Sequence, residues 1–177
     1  MPHLPYIPAD VVEPKALVDA IRLRRGGELL NLDRMLLHSA PFAAGWNTFL
    51  GAVRTDLALS PKLRELAMCV VATLNDAEYE FTQHAPLFIR EGGTLAQANA
   101  LRQPDLHVQD QALFDAAERA AIQLTIEMTR SVKVRDDTFI AVREALPGHR
   151  QVVELVGVIA AYNMVSRFLV AMGVEPE

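Results

Sequence analysis

The sequence predicts an all-α protein with about eight helices. Apolar residues recur at spacings of three and four, helix caps and Gly or Pro breaks stand between these runs, and no segment alternates as a strand would. The chain has 177 residues, of which 51 % are hydrophobic but only 6 % aromatic. We therefore expect one domain, with extensions, around a core built mainly of aliphatic side chains.

The N-terminal portion differs from the rest. Residues 1–14 contain four prolines, which indicate an extended arm. The spacing then predicts a first helix from Lys15 to Arg25, ended by Gly26 and Gly27. We expect residues 1–30 to form this arm and first helix, and residues 31–177 to form the main helical domain.

Start and stop signals divide the main domain. Ser60 is a good N-cap and Pro61 suits a first helical position, while Thr94 and Gln97 form a capping-box pattern. The predicted helices are, in order, LDRMLLHS after Asn31, the segment opened by Pro41, 61–74, 77–91, a short helix after Thr94, 111–130 capped by Asp110, a helix after Asp136, and 149–172.

Composition excludes several classes of protein. The net charge is −5 and no long basic block exists, which argues against nucleic-acid binding. The single cysteine, Cys69, rules out an intrachain disulfide, and no secretion signal begins the sequence, so we expect a cytoplasmic protein. The most apolar segment, residues 152–172, contains Glu154 and Arg167, which favours a core helix or subunit interface over a membrane span.

The stretch NDAEYEFTQH, residues 75–84, carries the candidate chemistry. Glu80 and His84 stand at i and i+4 of the predicted helix, so their side chains can touch. Such a carboxylate can orient an imidazole that transfers protons near neutral pH. Glu65, in the first turn of the preceding helix, can face His84 across a helical hairpin, although spacing alone does not decide this.

The same residues also have a structural interpretation. A Glu–His pair at this spacing is common on exposed helices, and Glu65 suits the positive end of a helix dipole. One Glu and one His supply only two metal ligands and no second pair has metal-ligand spacing, so we expect no metal. Cys69 lies within LAMCVVATL, which is typical of an inert core thiol.

The segment LSPKLRELAMCVVATLNDAEYEFTQHAPLFIREGGT resembles the core motif of the carboxymuconolactone decarboxylase and alkylhydroperoxidase-D-like superfamily. The matching positions are Arg64-Glu65, the break at Asn75-Asp76, His84 and Gly92. The segments MLLHSAPFAAGWNTFLGAVR and ELVGVIAAYNMVSRFLVAMGVEPE are also similar to members. The resemblance covers roughly Leu32 to Glu177.

The resemblance implies an all-α homo-oligomer (dimer, trimer or hexamer) and one of two chemistries. Its peroxidase branch uses two cysteines, which by spacing from His84 would fall at Ala77 and Glu80; this sequence has neither. The decarboxylase branch acts on a carboxylated lactone in aromatic catabolism without a cofactor. A disulfide-cycling peroxidase is therefore not expected.

We weigh three functions. The first is a cofactor-free lyase or decarboxylase acting on a small carboxylated lactone or related unsaturated acid. The alternatives are a peroxidase-related protein using Cys69 alone and a non-catalytic oligomeric binding protein. The candidate catalytic residues are His84, Glu80 and Glu65, with His84 as general acid/base, Glu80 orienting it, and Glu65 as a second proton carrier or a hydrogen-bond partner. The candidate substrate-binding residues are Arg64, Tyr79, Trp46, His38, Asn163 and Arg167.

Overall fold

The protein is all-helical, as a computed structural model that describes residues 1–177 shows. It has ten helices, and no strand is present. In chain order these are α1 Lys15–Arg25, α2 Asn31–Leu36, α3 Ala40–Thr55, α4 Pro61–Leu74, α5 Glu78–Arg90, α6 Leu95–Ala100, α7 Pro104–His107, α8 Ala116–Ser131, α9 Asp136–Ala145 and α10 His149–Met172. The predicted fold class is confirmed.

The boundaries differ from the predicted ones near α7 and α8. The short helix α7 lies between the predicted helix after Thr94 and the one expected from Gln111, where the sequence predicts no helix. The helix expected from Gln111 begins at Ala116, because Asp115 accepts a hydrogen bond from the Glu118 N–H and is the true cap. Asp110, the predicted cap, instead accepts from the N–H of Ala112 in the preceding turn. The capping box of Thr94 and Gln97 is confirmed.

The chain divides into two compact units, one of residues 1–56 with 169–177 and the other of residues 57–168. In the first unit the N-terminal arm lies against the C-terminal segment. The His3 N–H donates to the Met172 carbonyl, and the Glu175 N–H donates to the Tyr6 hydroxyl. This first unit contains residues 1–30 together with helices α2 and α3.

Helix α4 is the centre of the second unit. Its residues Leu66 to Ala72 are all almost fully buried, and it packs against both α5 and α8. The continuous apolar run explains this position, because a helix that is apolar on all sides is stable only when it is surrounded. The α4–α5 hairpin turns at Asn75 and Asp76, where Asp76 adopts a left-handed φ of 52°.

Helix α10 has one buried and one exposed side within the second unit. Leu155, Ile159, Tyr162 and Ser166 are fully buried. The opposite side exposes Val153, Gly157, Ala160 and Met164, which recur at spacings of four and three. By length and composition α10 could cross a membrane, which is weak evidence because the core helix of a soluble protein passes the same test.

Candidate active site

The hairpin of α4 and α5 brings Glu65 and His84 together. Both side chains are buried, with relative exposures of 3 % and 7 %. The His84 Nδ1 lies 2.6 Å from the Glu65 Oε2. The two residues are separated by 19 positions in the sequence, so this contact depends on how the two helices pack.

Glu65 is held as a carboxylate by its neighbours. Burial by itself raises the pKa of Glu65, but the hydrogen bond with His84, the charge of His84 and the nearby Arg64 outweigh burial, so the pKa lies below its ordinary value. The Arg64 Nε is 3.4 Å from the second carboxylate oxygen. An ionised Glu65 accepts a hydrogen bond from Nδ1, which fixes the orientation of the imidazole ring.

Helix α10 completes the cluster with Tyr162 and Ser166, one turn apart. The Tyr162 ring meets the His84 ring edge-on, with centroids 4.9 Å apart. The Ser166 hydroxyl lies 2.8 Å from the Oε2 of Glu80, a carboxyl only 2 % exposed. Three helices of one unit therefore surround a buried histidine with two carboxyl groups.

The two carboxyl groups have different partners. The sequence predicts that Glu80 orients His84, with Glu65 as a second proton carrier or a hydrogen-bond partner. In the structure the imidazole Nδ1 contacts Glu65, and Glu80 contacts Ser166. The i, i+4 spacing on one helix is visible in a sequence, whereas a partner on the neighbouring helix is not.

Asn163, a predicted substrate-binding residue, is hydrogen-bonded within the protein. Its amide nitrogen donates to the Thr129 hydroxyl and the Ile159 carbonyl, and its amide oxygen accepts from Asn75 and Arg167. These four bonds use the full hydrogen-bonding capacity of an amide side chain. Asn163 therefore ties the α4–α5 turn to α8 and α10.

The other predicted substrate residues fall in different places. Arg64 lies beside Glu65 at the cluster, and Tyr79 is buried on α5. Arg167 donates from Nη1 to the backbone and side-chain oxygens of Asn163. Trp46 and His38 belong to the other unit: Trp46 is buried with its ring edge against Phe42, and His38 Nε2 lies 2.7 Å from the Pro5 carbonyl.

A cavity of about 330 Å³ opens beside the first turn of α5. Its lining includes Ala77 and Phe81, which flank Glu80 along the helix, and Arg102, whose guanidinium lies 4.0 Å above the Phe81 ring. Arg102 also pairs with Glu78 through two hydrogen bonds. No sequence signal marks Arg102, because it lies in the turn between α6 and α7 with no motif around it.

Sequence reasoning also missed Tyr162 and Ser166. The available signal was weak: both carry hydroxyl groups at i and i+4 within an otherwise apolar helix. Such residues must find partners when buried, so their spacing points to one shared polar neighbour.

No group of three or more His, Cys, Asp or Glu side chains is arranged to hold a metal ion.

Cys69 stands four residues after Glu65 on α4 and is shielded from solvent. Its side chain is fully buried, and burial raises the pKa of its thiol far above the ordinary value, with the charges of Glu65 and Glu80 adding to the effect.

We expect iodoacetamide to label native Cys69 at least about 100-fold more slowly than the protein unfolded in guanidinium, because only the exposed thiolate reacts. Equal labelling rates, measured by mass spectrometry, would contradict this and favour a thiol-based function.

The fold and the site together define an all-α protein with a buried carboxylate–histidine cluster. Residues 40–127 match the model of the carboxymuconolactone decarboxylase family. The chain belongs to the carboxymuconolactone decarboxylase family, and Cys69 is its single cysteine. Among curated protein sequences, none matches this chain significantly.

Solved structures share the fold along nearly the whole chain. An uncharacterized peroxidase-related protein from Silicibacter sp. TM1040 superposes with a TM-score of 0.80 at 18 % identity, covering 99 % of this chain and 90 % of its own. A second peroxidase-related protein with an alkylhydroperoxidase AhpD core, from Ralstonia eutropha JMP134, gives 0.81 at 16 % identity, covering 97 % and 92 %. A variant of the debrominase Bmp8, in complex with 2,3,4-tribromopyrrole, gives 0.76 at 13 %, covering 100 % and 94 %. At these identities the likeness concerns the fold alone.

Proposed function

We propose that this protein is a cofactor-free lyase of the decarboxylase type, acting on a small carboxylated lactone or a related unsaturated acid. The observation that carries the proposal is the buried pair of Glu65 and His84, with a 2.6 Å contact and a second carboxyl group, Glu80, on the same helix as the histidine. Carboxyl and imidazole groups move protons, and no thiol stands where the peroxidase branch needs one.

The chemistry assigned to these residues is proton transfer. The bond between the substrate carbon and its carboxylate breaks, the electron pair enters the conjugated lactone carbonyl, and carbon dioxide leaves. A proton is then added at carbon, and water restores it to the enzyme. His84 and Glu80 are the proton-delivering groups in this proposal, while Glu65 fixes the imidazole through Nδ1.

Binding of a substrate carboxylate requires a positively charged side chain in the site. Arg64 is one candidate, because it lies beside Glu65 and its side chain is only partly exposed. Arg102 is another, because it lines the cavity next to Ala77 and Phe81. Three of its five N–H donors are not used by Glu78, so a second carboxylate can bind without displacing that pair.

The test is release of carbon dioxide by the wild-type protein from 4-carboxymuconolactone and a small panel of related lactone acids and unsaturated acids. We expect at least one of these to be decarboxylated without added metal or organic cofactor. No turnover of any member of the panel would remove the decarboxylase proposal, while the fold and family would stand.

One observation favours a second candidate, a non-catalytic ligand-binding protein. Glu65, Glu80 and His84 are all at least nine-tenths buried, as a purely structural polar cluster would be. In that case substitution of His84 would lower the free energy of unfolding, and neither wild type nor the variant would show enzymatic activity. The peroxidase alternative finds less support, because its only thiol is buried and the pKa of that thiol is raised.

We also propose that the exposed apolar side of α10 is the contact surface of a homo-oligomer. Val153 and Met164 are exposed by 69 % and 38 %, and between them Gly157 and Ala160 let a second helix approach closely. We expect Met164→Glu to produce a smaller species than wild type in size-exclusion chromatography with light scattering, because it places a charge in this surface.

The matched control is Ile140→Glu, which adds the same charge at an exposed apolar position on α9. It is expected to leave the oligomer intact. A wild-type monomer, or equal sizes for all three proteins, would rule out α10 as the contact surface.

A further inference from the structure

Another cavity, of about 450 Å³, lies between helices α8 and α9. None of its lining residues belongs to α4, α5 or α10, which carry the carboxylate–histidine cluster. Each helix contributes alanines one turn apart, Ala116 and Ala120 on α8 and Ala141 and Ala145 on α9. Because alanine side chains are short, helices that meet through them leave space between them. The volume is within the range of about 300–1,000 Å³ that small-molecule sites occupy.

The register of the two helices places Arg119 and Glu144 at one end of this cavity. Helices α8 and α9 are joined by residues 132–135 alone, so they run antiparallel. The Thr138 hydroxyl donates to the Glu127 Oε1 at 2.7 Å, close to that connection. About two helical turns further from the connection stand Arg119 on α8 and Glu144 on α9. Both side chains line the cavity, so a cation and an anion stand there at the same level.

Arg119 and Glu144 do not neutralise each other. The Arg119 Nη1 donates to the Phe114 carbonyl at 2.6 Å, which uses one of the five N–H donors of the guanidinium. Neither Arg119 nor Glu144 takes part in an ion pair, because the ion pairs of α8 and α9 are made by other residues. The cavity therefore has one positive and one negative side chain whose charges the protein leaves unpaired.

The other polar residues of the cavity add no net charge. Arg135 also lines it, but its guanidinium lies 3.0 Å from the Glu127 carboxylate and 3.1 Å from that of Asp137. Gln109 and Gln123 complete the polar lining and are neutral. The ligand is therefore selected by the unpaired cation and the unpaired anion.

A ligand with a single charge does not suit this arrangement. An anion that binds Arg119 is repelled by Glu144, and a cation that binds Glu144 is repelled by Arg119. An α-amino acid carries a carboxylate and an ammonium group on the same carbon, so it can bind both residues at once. We propose that the cavity is a binding site for a free α-amino acid, with its carboxylate on Arg119, its ammonium group on Glu144 and its side chain against the alanines.

Binding is tested on the purified full-length protein with each of the common L-amino acids. A ligand that binds only the folded protein raises its Tm, so thermal unfolding identifies the amino acids that bind, and isothermal titration calorimetry then gives their Kd. We expect at least one amino acid to bind at one site per chain. If none raises the Tm or produces binding heat at about 10 mM, the inference is wrong.

Analogues of the bound amino acid test whether both charges are needed. For phenylalanine they are phenylpropionate, which lacks the amino group, and phenethylamine, which lacks the carboxylate. Each is expected to bind at least about tenfold more weakly than the amino acid, because each loses one charge-assisted hydrogen bond. An analogue without the amino group that binds as tightly as the amino acid would overturn the assignment of Glu144.

Variants locate the site. Arg119→Gln and Glu144→Gln are each expected to raise the Kd at least about tenfold. Ala141→Leu should abolish binding, because it fills the cavity without changing a charge. The matched control is Arg143→Gln, which removes an exposed charge beside Glu144 that does not line the cavity, and it should keep the wild-type Kd.

Circular dichroism shows whether each variant is folded. An unchanged Kd in folded Arg119→Gln and Glu144→Gln would place the ligand elsewhere and overturn the inference. The outcome is independent of the decarboxylase proposal, because neither the amino acids nor these variants involve the Glu65–His84 pair.

Discussion

Replacement of His84 by alanine is expected to lower the rate of carbon dioxide release by about 10²–10⁴-fold, the range that a positioned acid–base group contributes. His84 is the only histidine of the buried cluster, and its Nδ1 is already oriented by Glu65. The measurement is turnover of whichever panel member the wild type accepts, with folding checked by circular dichroism and oligomer size by light scattering.

Two further variants make the result interpretable. His84→Gln keeps a side chain that can donate to Glu65 and so guards against a loss caused by unfolding. His149→Ala changes a histidine at the start of α10, outside the buried cluster, and is expected to retain wild-type turnover. Wild-type activity in folded His84→Ala would show that the imidazole does not take part in the reaction.

Replacement of Glu65 by alanine is expected to lower the free energy of unfolding by about 3–5 kcal/mol, because removal of one partner from a buried ion pair leaves the other uncompensated. Glu65 is 3 % exposed and interacts with both His84 and Arg64. The measurement is chemical denaturation, followed by far-ultraviolet circular dichroism.

The matched control is Glu78→Ala. Glu78 also pairs with an arginine, Arg102, but its side chain is 65 % exposed. Exposed pairs contribute about 0–1 kcal/mol, so this variant should be close to wild type. A similar decrease in the free energy of unfolding in both variants would show that the buried Glu65–His84 pair stabilises the fold no more than an exposed pair does.

The dependence of this effect on pH has a defined sign. Because the pKa of Glu65 is lowered in the fold, its stabilising contribution is complete above the ordinary carboxyl value of 4.5 and is lost as pH falls through the lower folded value. The difference in Tm between wild type and Glu65→Gln should therefore be large at neutral pH and shrink in acid.

The fold class could be predicted because its signals are local. Helix spacing, the Ser60-Pro61 start and the Thr94–Gln97 capping box each depend on residues within a few positions. The start of α8 was harder to predict, because Asp110 and Asp115 are both acceptable caps and packing selects between them.

The candidate site could be predicted only in part. Glu80 and His84 were visible as an i, i+4 pair, and the resemblance to a known family pointed to Glu65. The sequence left open whether Glu65 faces His84, and it did not indicate that Ser166 meets Glu80, because both contacts join different helices. For Asn163, too, the sequence did not identify the hydrogen-bond partners. A polar residue in an apolar helix is expected to have partners, but the sequence does not show whether they are substrate atoms or other side chains.

By itself the sequence determined that the chain is helical and that its one thiol lies in an apolar run. The resemblance to a known family implied that Ala77 and Glu80 stand at the positions of its peroxidase cysteines. Only the tertiary structure decided that Glu65 holds His84 across 19 residues and that Ser166 meets Glu80 across 86. The physical reason is that periodicity fixes which face of a helix a residue occupies, whereas the packing of whole helices fixes which other face it meets.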